Sequence, residues 1–97
     1  MRPTPLVSVI VPAYQAQETL GAALSGALTQ TYPRVEIVVC NDGSTDATDA
    51  IASAHGDLIR VVRQPNGGLP SARNAAIRAA RGDLIALLDA DDLWCPP

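Results

Sequence analysis

Three carboxylates, Asp89, Asp91 and Asp92, fall within four residues at the end of an apolar run. Ionised side by side they repel one another, so a folded chain must raise one pKa or neutralise them with a cation. Hard divalent ions take oxygen ligands, and Mg²⁺ typically combines one or two carboxylates with the phosphates of a substrate. Such an ion reverses the local charge and lets an acidic cluster receive an anionic diphosphate. The cluster therefore reads as a metal-diphosphate site. Its plain rival is a turn made of residues that favour turns.

Other candidates lie at similar places. Tyr14 follows the first apolar run; it either offers its ring to a base, a stacking contact worth about 1–3 kcal/mol, or packs at a strand end. Asp42 follows the second run and can accept hydrogen bonds from a base edge. Its rival role is local, holding the Gly43 and Ser44 amides in an Asx-turn. Asp46, or Ser44 or Thr45, is expected to cap a helix and not to touch ligand. Arg73 falls in the first turns of a helix, where a positive side chain opposes the dipole. That placement points to an anionic partner, a phosphate or one of the aspartates. Arg78 and Arg81 sit near the end of the same helix, where cations are favoured, and read as structural. His55 reads as a helix-end residue, and Trp94 as the wall of a sugar site or a cap on the core.

The elements that must position these groups alternate regularly. Leu6–Val11 is a continuous β-branched run, as in a strand covered on both faces. Glu18–Gln30 places Leu20, Leu24 and Leu28 at four-residue steps, the stripe of an amphipathic helix, which Tyr32-Pro33 ends. Val35–Cys40 is a second strand, Ala47–Ala54 a short helix, and Leu58–Arg63 a third strand. Pro70 suits the first turn of a third helix running to Arg81, with Gly82 as its cap. Asp83–Leu88 is a fourth strand. The third helix carries Ala72, Ala75, Ala76, Ala79 and Ala80, so it can lie close against a sheet. The expected fold is α/β: a three-layer, mostly parallel sheet of about four strands with three helices on both faces. In such sheets ligands bind beyond the carboxyl ends of the strands. Pro12-Ala13-Tyr14, Asn41-Asp42, Arg63–Asn66 and Asp89–Asp92 all arrive there.

Composition excludes several classes. The 97 residues are 47% hydrophobic and 18% charged, which suits one folded domain over residues 1–97. There is no Phe, and the aromatics are Tyr14, Tyr32 and Trp94, so the core must be aliphatic. Net charge is -3 and the seven basic residues are scattered arginines, which argues against nucleic acid as a partner. No apolar run approaches the roughly 20 residues of a membrane span. Cys40 and Cys95 show no metal-ligand spacing and read as reduced thiols of a cytoplasmic protein.

Four stretches in order carry a resemblance. They are Val7–Tyr14, Val38–Asp46, Asn66-Gly67-Gly68 through Ser71–Asn74, and Leu87–Asp92. Together they resemble the family-2 glycosyltransferases of GT-A fold, over nearly the whole chain. The resemblance implies a glycosyltransferase of polysaccharide biosynthesis, using a nucleotide-diphosphate sugar, often UDP-linked, with inversion at the anomeric carbon. It implies a nucleotide-sugar site of Pro12, Ala13, Tyr14, Asp42, Arg73, Asp89, Ala90 and Asp91, with Tyr14 and Asp42 at the base. Asp89-Ala90-Asp91 matches the DXD motif, which meets ribose, metal and diphosphate. Asp91 and Asp92 would hold Mg²⁺ or Mn²⁺. Gln15 departs from the Asn common after that Tyr. The acceptor would be a saccharide or a lipid-linked one, and the full-length enzyme would work in the cytoplasm or peripherally at the inner face of the membrane.

Family members continue into an acceptor-binding half that carries the catalytic base. The chain is therefore expected to stop short of that half, to contain no catalytic residue of its own, and to bind donor without efficient transfer. Two other enzyme classes fit poorly. A dinucleotide-binding oxidoreductase needs a GxGxxG-like first turn, and Pro12–Ala16 contains no glycine. A phosphatase with a DxD nucleophile needs further catalytic segments after its aspartates. The competing expectation is non-catalytic: a nucleotide-binding or assembly module that self-associates through an exposed fourth strand, since an unpaired strand edge templates association.

Overall fold

The computed structural model describes residues 4–30 and 32–91. Four strands, β1 (Val7–Ala13), β2 (Val35–Asp42), β3 (Ile59–Gln64) and β4 (Leu84–Leu87), form one sheet in the order β3-β2-β1-β4. Every pairing is parallel: Val7 lies beside Val35 on one side and Leu84 on the other, and Ile37 beside Ile59. The helices are α1 (Leu20–Leu28), α2 (Thr48–Ser53) and α3 (Leu69–Ala79). The expected α/β layers are present. Among the described residues no helix is long and apolar enough to cross a membrane.

Alternation along β1 divides the core in two. Val9, Val11 and Ala13 face α1 and α2, packing with Leu20, Ala23, Leu24, Ile37, Val39 and Ala52. Ile10 faces the other way and packs with Val38, Cys40, Ala72 and Ala76 beneath α3. Fully buried β-branched residues on both faces explain why β1 reads as an unbroken apolar run. Ala72 and Ala76 are completely buried, so the alanine stripe does bring α3 close to the sheet.

The side switch is topological. The chain steps outward from β1 through β2 to β3, then α3 carries it across the opposite face to β4, beyond β1. Right-handed crossovers require the change of face when the stepping direction reverses. The reversal leaves a crevice between the carboxyl ends of β1 and β4, where open α/β sheets bind ligands.

Element ends differ from expectation for identifiable reasons. In α1 the buried stripe is Leu20, Ala23, Leu24 and Ala27, and Leu28 is exposed. A 3₁₀ turn at Gly56–Leu58 takes Leu58 out of the third strand. The third helix stops at Ala79, and Gly82 does not cap it. Ala80 has turned extended (φ -70, ψ 145), the Arg81 N–H donates to the Glu36 carboxylate at 2.6 Å, and the Gly82 N–H donates to Ser8 Oγ at 2.8 Å. The buried Ser8 hydroxyl in turn donates to Glu36. Contacts to β1 and β2 thus peel the chain from the helix and start β4. At the far edge of the sheet, Leu84, Ile85 and Leu87 of β4 are exposed.

Candidate functional site

Beyond the carboxyl ends of β1 and β4 lies a cleft of about 330 Å³, lined by Pro12, Tyr14, Gln15, Ala16, Thr19, Leu69, Asp89, Ala90 and Asp91. Of the residues expected at a nucleotide-sugar site, Pro12, Tyr14, Asp89, Ala90 and Asp91 meet here. Tyr14 is half-exposed, with ring area free to stack. Ala13 is fully buried and supports the wall from behind. Asp92 and Trp94 lie outside the described residues, as does Cys95.

Arg73 reaches the cleft rim through Asp89, its Nη2 3.8 Å from Oδ1. An anionic partner was expected for this arginine, and the partner found is one of the aspartates. With both side chains substantially exposed, such a long pair stabilises little. Its consequence is electrostatic: one cation stands beside the Asp89 carboxylate.

Asp42 is placed differently from a residue waiting for a base. It is 1% exposed, and its carboxylate is engaged on every side. The Gln64 Nε2 (2.7 Å), the Gly67 N–H (2.9 Å), the Gly68 N–H (3.0 Å) and the Asn66 Nδ2 (3.2 Å) all donate to it. Burial pushes its pKa up, but the donors Gln64, Gly67 and Gly68 outweigh this and hold it below the usual value. Asp42 therefore clamps the Asn66–Gly68 loop, whose next residue, Leu69, lines the cleft. The loop lies so close to Gly43, at φ +73, that a Cβ there would sit 2.6 Å from the Asn66 nitrogen. The local role weighed for Asp42, bonding Gly43 and Ser44, falls instead to Asn41, whose Oδ1 accepts the Ser44 N–H at 3.0 Å.

The remaining polar residues of this edge are structural. Asp46 accepts the N–H of Thr48, the first residue of α2, at 2.9 Å; the cap position expected of it or its neighbours falls to Ala47, which offers no side-chain bond. Arg63 and Asn41 converge on Asp49: Arg63 binds it through two nitrogens at 2.7 and 3.2 Å, and Asn41 Nδ2 at 3.1 Å. These bonds, Arg63 first, hold the Asp49 carboxyl below its usual pKa. His55 donates from Nδ1 to the Ile51 carbonyl at the end of α2. Cys40 is a free, buried thiol whose pKa burial raises, with the Asp42 charge adding to the effect.

Four lining residues were not anticipated: Gln15, Ala16, Thr19 and Leu69. Ala16, Thr19 and Leu69 line the cleft, and nothing in their residue types marks them for a binding site. Gln15 sits at φ +49, a left-handed conformation that Asn tolerates better than Gln.

The family model described as glycosyl transferase family 2 matches residues 8–97. The chain belongs to that family. It is 43% identical over 93 residues to an uncharacterised glycosyltransferase of Rickettsia typhi, covering 96% of this chain and 29% of that protein. It is 43% identical over 95 residues to a chondroitin synthase of Pasteurella multocida, covering 95% and 10%. Among solved structures, the mannosyltransferase PcManGT of Pyrobaculum calidifontis, in complex with GDP-Man and Mn²⁺, superposes with a TM-score of 0.85 at 36% identity, over 95% of this chain and 29% of that one. The S. aureus TarS fragment 1-349 with UDP gives 0.84 at 30% identity, over 91% and 28%. This family-2 chain thus spans between a tenth and three tenths of the length of these relatives.

Two carboxylates, Asp89 and Asp91, face the cleft of this family-2 domain. Among the described residues no three His, Cys, Asp or Glu side chains gather into a closed metal cage. Two hard oxygen donors with open positions suit Mg²⁺ or Mn²⁺ completed by phosphate and water.

Proposed function

We propose that residues 1–97 form the donor-binding domain of an inverting glycosyltransferase. It would bind a nucleoside-diphosphate sugar, UDP-linked by preference, with Mg²⁺ or Mn²⁺. The observation that carries this reading is the shared cleft, where Tyr14 at the end of β1 opposes Asp89-Ala90-Asp91 after β4. The complexes of similar proteins with UDP, with UDP-GlcNAc and with GDP-Man and Mn²⁺ support it. Tyr14 offers its ring to the base. Asp89 and Asp91, with Asp92, would hold the metal, and Arg73 would add positive charge beside the diphosphate. When bound, the metal supplies a Lewis acid for the charge that grows on the leaving diphosphate. The acceptor, a saccharide or lipid-linked hydroxyl, would attack the anomeric carbon from the opposite face after losing its proton to a base. That role is assigned to no described residue.

Calorimetric titration of UDP with and without Mn²⁺ tests the reading. The wild-type chain should bind UDP more tightly with the ion. In Asp91→Ala that gain should disappear, with affinity falling at least about tenfold, or roughly 1.4 kcal/mol. An unchanged metal dependence in the variant sinks the assignment.

One observation favours a second, non-catalytic reading of the isolated chain. Among the described residues β4 is an outer strand of the sheet and exposes Leu84, Ile85 and Leu87, and an unpaired strand edge templates association. On this reading the chain self-associates, and light scattering coupled to size-exclusion chromatography should show dimers at high concentration. A clean monomer rules it out.

A further inference from the structure

The cleft wall after β1 is stitched to the turn after β2 by bonds that secondary structure does not explain. Gln15 donates its backbone N–H to Ser44 Oγ at 3.0 Å, while its side-chain Oε1 accepts the Thr45 N–H at 2.6 Å. Its Nε2 donates to Thr45 Oγ1 at 3.1 Å, closing a reciprocal amide clasp. One residue on, the Ala16 N–H donates to Thr48 Oγ1 at 2.8 Å. Thr48 is completely buried, and its hydroxyl in turn donates a hydrogen bond to Asp46 Oδ1 at 2.5 Å. The Ala16 carbonyl accepts the Thr19 and Leu20 amides at 3.1 and 2.9 Å, which opens α1. Gln15, Ala16 and Thr19 all line the cleft.

A non-glycine residue at positive φ persists only where its surroundings hold it. Gln15 at φ +49 is so held, and it adjoins Tyr14. We infer that Gln15 and Thr48 are positioning residues for the donor site, a clasp that fixes the Tyr14–Thr19 wall against the turn after β2. The inference rests on the donor-binding reading for its functional consequence, but the clasp itself can be tested without nucleotide. Asp46 and Ser44 sit in the turn that leads into α2 and would ordinarily serve that turn alone. Here the same side chains reach out of their own turn toward the neighbouring wall. Asp46 Oδ2 also accepts the Gln17 N–H, at 3.3 Å.

Two measurements decide it. Amide hydrogen exchange reports the opening of local segments. In Gln15→Ala and in Thr48→Val, exchange at the amides of residues 15–20 should quicken about tenfold or more relative to the sheet amides. Thr48→Ser, which keeps the hydroxyl, should restore wild-type protection. The second measurement is UDP affinity with Mn²⁺, expected to weaken about five- to tenfold in Gln15→Ala and Thr48→Val and to recover in Thr48→Ser. Unchanged relative exchange in the wall of both Gln15→Ala and Thr48→Val overturns the clasp. Quickened exchange with unchanged UDP affinity overturns its role in positioning the site. If the wild-type chain binds no UDP, the donor-site reading fails, and the exchange result still decides whether the clasp exists.

Discussion

Asp42→Ala should cost the fold about 3 kcal/mol or more, because one buried carboxylate serves several part-buried donors at once. The Gln64 amide and the Gly67 and Gly68 N–H groups converge on one carboxylate that is almost wholly out of water. Hydrogen bonds to a charged group contribute roughly 1.5–3 kcal/mol each. Partial entry of water into the space left by the side chain sets the sum well below the arithmetic total. For a domain of this size 3 kcal/mol corresponds to a fall in Tm of roughly 12–24 °C. A thermal melt checks it, and a loss under about 1 kcal/mol would show that the clamp contributes little. The effect should reach the cleft as well, since Leu69 lines it and follows directly on the clamped Gly68.

The same residue gives the acid limb of stability a definite sign. The folded pKa of Asp42 is lowered, because its donors outweigh the upward push of burial. The proton therefore prefers the unfolded chain, whose aspartates titrate near about 3.9. Ionised Asp42 stabilises the fold fully above that pH, and the contribution is lost as pH falls through the folded pKa. Wild-type stability should drop below about pH 4, and Asp42→Ala should show a shallower drop. Some slope will remain, since Glu36, Asp46 and Asp49 are lowered as well.

What sequence reasoning could read here follows from which interactions are local. The runs of β1 and β2 and the alanine stripe of α3 are visible because burial on both sheet faces favours apolar residues at successive positions of the central strands. The carboxylates after β4 are visible because like charges in a row need an explanation. Asp42 was legible as a residue at the right edge of the sheet. Its clamp was not, because the partners lie 22 to 26 residues away and Gly67 and Gly68 contribute only backbone. Leu69 lines the cleft for the same reason, carried there by a loop that Asp42 fixes. Gly82 looked like a helix cap because glycine after an alanine-rich helix usually is one. A contact with a strand more than 70 residues earlier leaves no local mark.

Gly82→Ala separates these two explanations of the glycine and should be among the most destabilising single changes in the chain. A Cβ on Gly82 would stand 2.3 Å from Ser8 Oγ, 2.7 Å from Ser8 N and 2.8 Å from Leu6 O. The hydroxyl cannot swing away cheaply, since it donates to Glu36 and accepts the Gly82 N–H. The backbone atoms cannot yield either, because Ser8 lies within β1, between β2 and β4. Overpacking typically costs about 1–3 kcal/mol and more where nothing can move, so a loss of about 3 kcal/mol is expected. The cap explanation makes a different forecast. A left-handed cap tolerates Asn, so Gly82→Asn should then be mild; close approach instead makes Asn at least as damaging as Ala. Denaturant unfolding of both variants decides between them, and Asn within 0.5 kcal/mol of wild type, roughly the range of a harmless surface change, would refute the contact. The functional consequence follows from where β4 leads. Gly82 sets the seat of β4 on β1, and β4 delivers Asp89 and Asp91 to the cleft opposite Tyr14. A variant that still folds with β4 displaced should therefore lose metal-dependent UDP binding although no residue of the cleft has changed.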